Sequence, residues 1–136
     1  MTIVLADTDS NFRHRLKRRL ERIAGVKVVG ESSDSEEATA MILNRKPDIA
    51  ILNSSLQNGR AIEVLHQVKR LMVPPTIIIV TDNPSPDNKT ACILAGADFF
   101  FDQATGEHMA VTAVRFLSAP QNRLERLAAP AATLNK

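Results

Sequence analysis

The chain has no tryptophan, no tyrosine and one cysteine in 136 residues. With Cys92 alone, an internal disulfide is excluded, and a reducing cytoplasm is the expected setting. No apolar run approaches the roughly 18 residues of a membrane span, so no membrane association is expected. The opening MTIVLADTD lacks the basic start and longer apolar core of a signal peptide. His14, His66 and His108 are scattered, without metal-ligand spacing, and Cys92 has no second cysteine or histidine beside it. Strong charge imbalance is missing too. The net charge of +2 and pI near 9.0 fall short of a dedicated nucleic-acid binder. The basic run RHRLKRRLER (13–22) has no interleaved aromatic residue for base stacking. It reads as a solvated helix face, or as an electrostatic patch for an acidic partner. Nucleic-acid contact is not expected.

What is present is a single domain of ordinary composition, 44% apolar and 24% charged, with enough chain to bury a core. Four near-continuous apolar runs stand out: TIVLA (2–6), VKVVG (26–30), DIAIL (48–52) and TIIIVT (76–81). A fifth, DFFFD (98–102), is shorter. Runs without alternation point to strands buried on both faces, as in a parallel sheet covered by helices.

Helical periodicity fills the gaps. Phe12, Leu16, Leu20 and Ile23 share a face in 10–24, Ala38 and Ile42, with Met41 beside them, in 35–45, and Ile62, Leu65, Val68 and Met72 in 60–72. Ala91, Leu94 and Ala95 do so in 87–95, and Met109, Ala113 and Phe116 in 107–117. Asp9 or Ser10, Ser33 or Asp34, a residue near Asp87, and Thr105 are the expected N-caps. Gly25 is the expected left-handed stop after the first helix. Five β-α units imply right-handed crossovers. The expected fold is an α/β sandwich, a doubly wound five-stranded parallel sheet between helices. It should occupy residues 1–118, leaving 119–136 as a tail or linker stub.

Functional groups in such a sheet collect where strands end. Those positions are Asp7, Thr8 and Asp9 after the first strand, Asn53 after the third, and Thr81 at the end of the fourth. Asp102 and Gln103 follow in the fifth. Asp9 is weighed as a helix cap against a further acid of this cluster.

Four ordered segments now carry a resemblance: TIVLADTDSNFRHRLKRRL, PDIAILNSSLQNGRAIEVLHQVK, PPTIIIVTDN and AGADFFFDQAT. Together they resemble the receiver domain of two-component response regulators, over about residues 2–118, which implies a flavodoxin-like (βα)5 topology with strand order 2-1-3-4-5. The resemblance implies a phosphoacceptor aspartate at the position held by Asn53. It implies an acidic pair for Mg²⁺ at Asp7 and Thr8, a phosphoryl-sensing hydroxyl at Thr81 and a charge-pairing lysine at Gln103. It places an aromatic switch at Phe100, and prolines common in the family at Gln57 and Ala104.

An amide carries no charge and is no nucleophile for acyl phosphate formation. One carboxylate is a poor anchor for Mg²⁺, so no cofactor is expected beyond a weakly held Mg²⁺. A missing lysine removes charge stabilisation of the transferred group. The chain is therefore expected to be a degenerate, pseudo-receiver module in cytoplasmic bacterial signalling, not an enzyme, acting on a protein partner without phosphorylation. That partner is expected to be a signalling kinase or another regulator. A homodimer through the fifth strand and fifth helix and a monomer are both left open. The alternatives are a conventional phosphoaccepting receiver whose aspartate was replaced at Asn53, or the receiver half of a DNA-binding regulator.

Overall fold

The computed structural model describes residues 1–119. Five strands form one parallel sheet: β1 (Thr2–Ala6), β2 (Lys27–Ser32), β3 (Ile49–Leu52), β6 (Thr76–Thr81) and β7 (Phe99–Asp102). The two short strands between them, β4 (Ser55–Leu56) and β5 (Gly59–Arg60), make a separate antiparallel hairpin. Sheet order is β2-β1-β3-β6-β7, which is 2-1-3-4-5 when only the sheet strands are counted. Helices α1 (Ser10–Leu20), α2 (Ser35–Arg45), α3 (Ala61–Val68), α4 (Pro86–Ala95) and α5 (Gln103–Ser118) connect and cover it. The tail expected from 119 lies, beyond Ala119, outside the described residues. Among those described, no helix is long and apolar enough to cross a membrane.

Successive strand residues face opposite sides, so each apolar run feeds two cores. Ile3, Leu5, Ile51, Ile78 and Val80 pack with α1 and α5 on one face. Val4, Ala6, Leu52, Ile77 and Ile79 pack with α2, α3 and Cys92 of α4 on the other. This double burial is why the runs do not alternate. The phenylalanines of β7 divide the same way: Phe99 and Phe101 lean on the first core and Phe100 on the second, all half-buried. Gly106 lets α5 approach the sheet, because a Cβ there would meet Val80 Cγ1 at 2.5 Å.

Two of the expected caps are present, and other local expectations change. Asp9 is the cap of α1, accepting from Asn11 N and Phe12 N at 3.0 and 3.1 Å, and Asp34 caps α2 through Glu37 N at 2.8 Å. Helix α1 stops at Leu20, so Gly25, at φ +79°, shapes the following loop and not the helix end. Ser85, followed by Pro86, caps α4. Thr105 is no cap. Asp102 starts α5 earlier by accepting from Ala104 N at 2.9 Å. The periodic sets also ran one position off in places. Met72, Leu94 and Phe116 are exposed, at 100%, 82% and 61%. The buried side of α5 is Ala110, Val111, Ala113, Val114 and Leu117, and α4 buries only Cys92. Met72 lies beyond the end of α3, and in α4 and α5 the apolar residues permit more than one phase, which packing selects.

Candidate functional site

Register alone brings the strand ends together. Ala6 pairs with Leu52 and Leu52 with Ile79. One residue past β1 and β3 therefore lie Asp7 and Asn53, side by side, and one residue further on Ser54 comes level with Thr81. Backbone bonds hold the frame: Asp7 N donates to Ser32 O at 3.0 Å, and Asn53 N to Ala6 O at 2.8 Å. Asp7, Asn53, Ser54 and Thr81 are all buried.

Every one of those side chains has an internal partner. Asn53 Nδ2 donates to Asp7 Oδ2 at 3.1 Å, while Asn53 Oδ1 accepts from Ser55 N at 3.0 Å. Asp7 Oδ1 accepts from Asp9 N at 2.8 Å. Arg13 Nη1 donates to the carbonyl oxygen of Asp7, and its Nε lies 3.5 Å from Glu31 Oε1. Thr81 Oγ1 and Ser54 Oγ are hydrogen-bonded to each other at 2.5 Å, and Thr81 Oγ1 accepts from Asn83 N at 2.9 Å. A void of about 10 Å³, room for one water, lies against Asp7, Arg13 and Asn53.

The other residues singled out from the sequence lie around this centre. Thr8 and Asp9 are exposed, and Asp9 is committed to capping α1. Gln103 opens α5, half-buried, next to Asp102, which is level with Thr81. Phe100 pairs in register with Ile79, two residues back from that end of the sheet. Gln57 sits in the turn of the β4–β5 hairpin. The hairpin is clasped to the β2–α2 connection by Ser35 N to Gln57 O and Gln57 N to Ser33 O, both 2.9 Å, and by Asn58 Nδ2 to Asp34 Oδ1.

As a metal site the donors do not fit a hard divalent cation. Such ions take several oxygen ligands with carboxylate charge among them. Here one buried carboxylate has both oxygens engaged by N–H donors, and Asn53 Oδ1 already serves Ser55. Among the described residues no group of three or more acids, histidines or cysteines is placed to hold a metal.

Burial pushes the Asp7 carboxyl above its ordinary 3.8, against the lowering effect of the hydrogen bonds from Asp9 and Asn53. A carboxyl raised on folding contributes most below its unfolded pKa, and that contribution is lost as pH rises through the folded value. The stability of wild type relative to Asp7→Asn should therefore fall as pH climbs from below 3.8, then level off toward neutrality. Urea midpoints of both proteins over a pH series measure this. A difference independent of pH would refute it.

The sequence reading missed two contributors, Ser54 and Arg13. NSS places two hydroxyls after the strand, but which of them comes level with Thr81 is decided by register. Arg13 was counted with the basic run. Most of that run is paired inside the molecule. Arg13 and Lys17 each lie 3.5 Å from Glu31, and Arg15 and Arg19 reach Glu107 on α5 at 3.2 and 2.8 Å. Burial would push Glu107 up, but the hydrogen bonds from Arg19 and Arg15 hold it below its ordinary 4.5. Arg18 and Arg22 stay exposed.

A doubly wound parallel sheet with a buried polar cluster at the carboxyl ends of its inner strands defines a flavodoxin-like α/β class. Within that class, the family model for the response regulator receiver domain matches residues 3–115, and the chain belongs to that family. It is a receiver domain of two-component signalling. The phosphate regulon transcriptional regulatory protein PhoB of Pseudomonas aeruginosa is 33% identical over 99 residues, 71% of this chain and 42% of that protein. The response regulator UvrY of Escherichia coli is 27% identical over 124 residues, 89% of this chain and 56% of its own. A CheY-like receiver domain protein from Methanospirillum hungatei superimposes with TM-score 0.75 at 23% identity, covering 84% of this chain and 90% of that one. The chain spans between about a third and three fifths of the length of the curated relatives it matches.

Proposed function

We propose that this receiver domain acts without aspartyl phosphorylation, as a protein-interaction module and not as an enzyme. The observation that carries this reading is the closed set of hydrogen bonds around Asn53. The position that the family resemblance assigns to a carboxylate acceptor holds an amide whose nitrogen is given to Asp7 and whose oxygen is given to Ser55 N. Thr8 offers a hydroxyl where a second acid would sit, and Gln103 offers no positive charge. Nucleophile, metal ligand and cation are absent together, and groups of this kind act as a unit. Signal then passes by differential binding of a protein partner to one conformation of the domain.

Incubation with acetyl phosphate and Mg²⁺ should leave the intact mass unchanged. A stable gain of one phosphoryl group that vanishes in Asn53→Ala would sink the proposal.

A further inference from the structure

Helix α4 is held unlike its neighbours. Helices α1 and α2 each bury three residues, α3 four and α5 six, whereas α4 buries Cys92 alone. Its position therefore leans on polar contacts, and these form a continuous chain. Ser54 Oγ meets Thr81 Oγ1 at 2.5 Å, and Thr81 Oγ1 accepts from Asn83 N at 2.9 Å. Asn83 O accepts from Asn88 Nδ2 at 2.6 Å. Asn88 lies in the first turn of α4, where its backbone N donates to the cap Ser85 Oγ at 3.2 Å, and its Oδ1 accepts from Cys92 Sγ at 3.7 Å.

We propose that Ser54 is a positioning residue for α4, acting through Thr81, Asn83 and Asn88. This rests on the reading of the site as phosphorylation-independent, since the Thr81 hydroxyl is then oriented by Ser54 and not by an incoming anion. The physical step is simple. Thr81 Oγ1 and Ser54 Oγ are both buried, so each hydroxyl needs a partner inside the protein. Their mutual bond fixes the Thr81 rotamer that receives Asn83 N–H. Remove the Ser54 hydroxyl and Thr81 is free to turn, the Asn83 loop loses its anchor, and α4 is seated chiefly by buried Cys92 and half-buried Ala95.

Native-state hydrogen exchange on the full chain tests this, using Ser54→Ala, Thr81→Val and the hydroxyl-keeping Thr81→Ser. In Ser54→Ala and in Thr81→Val, protection of the α4 amides from Lys89 to Ala95 should fall by about three- to tenfold, the range expected for one hydrogen bond. Amides of β1 and β3 should hold their wild-type ratio to global stability, and Thr81→Ser should match wild type. Ser54→Ala combined with Thr81→Val should lose no more α4 protection than either alone, because both break the same link. Loss spread evenly over sheet and helix, or additive losses in the double variant, would overturn the proposal and leave Ser54 a merely structural hydroxyl. Should Ser54→Ala fail to fold, Thr81→Val against Thr81→Ser decides alone. The phosphodonor mass measurement is independent of these outcomes, so a failure here is distinguishable from a failure of the functional reading.

Discussion

Thr8→Asp, Asn53→Asp and Gln103→Lys introduced together should make the chain a substrate for acetyl phosphate, at a rate at least about 100-fold above Asn53→Asp alone. That factor is the lower end of what one preorganised charge-stabilising group supplies. The single variant should gain little, for a reason visible in the geometry. Asn53 Nδ2 lies 3.1 Å from Asp7 Oδ2, so a carboxylate in its place would face a second carboxylate at contact distance. Two buried acids so close cannot both ionise without a cation between them, and the protonated partner is no nucleophile. Thr8→Asp supplies a further hard oxygen ligand, and Gln103→Lys a positive charge at the start of α5. Intact-mass time courses with and without Mg²⁺ measure the result. A triple variant that stays unlabelled, or a single variant as fast as the triple, would contradict it.

Ile78→Ala and Ile79→Ala should each cost about 2–5 kcal/mol, the range for truncating a fully buried aliphatic side chain. Both residues are 0% exposed and adjacent on β6, a strand flanked on both sides in the sheet. They point in opposite directions, Ile78 into the core under α1 and α5, Ile79 into the core under α2 and α3. Their losses should therefore add despite their proximity, because the two cavities share no lining. The sum, about 4–10 kcal/mol, is comparable to the whole stability of an ordinary domain, about 5–15 kcal/mol. The double variant should populate unfolded chain without denaturant. Urea titrations of the singles and circular dichroism of the double check this. A double variant no less stable than the worse single would show one continuous core.

The topology was legible because burial on both faces forces unbroken apolar runs such as TIIIVT, and because a strand followed by a helix leaves one parallel arrangement of low cost. Asp7, Asn53 and Thr81 were legible for the same reason, being the first polar residues where those runs stop. Less was readable where short elements decide. The phase of α4 and α5 differs at Leu94 and Phe116, since α4 has few apolar residues and α5 has so many that more than one helical face fits. Thr105 looked like a cap, but Asp102, at the end of β7, reaches Ala104 N first and starts the helix three residues earlier. Ser54 was passed over because nothing in the one-dimensional pattern says that β6 runs far enough past β3 to bring Thr81 level with it. That is a property of register, which local sequence does not encode.

The position of β7 has a consequence for solubility. Among the described residues it pairs only with β6, so its outer row of backbone donors and acceptors faces no described strand, while its sequence includes three consecutive phenylalanines. An open edge of that composition is a template for pairing with another chain. Acids bracket it. Asp98 is anchored by accepting from Ile77 N at 2.8 Å and by Lys69 at 3.6 Å, and Asp102 is fixed at the start of α5. Both carboxylates also have structural duties, so the charges that deter edge-to-edge association are the ones that fold the two ends of the strand. Neutralising either would loosen a connection and remove a gatekeeper in the same stroke, coupling local fraying to aggregation at this edge.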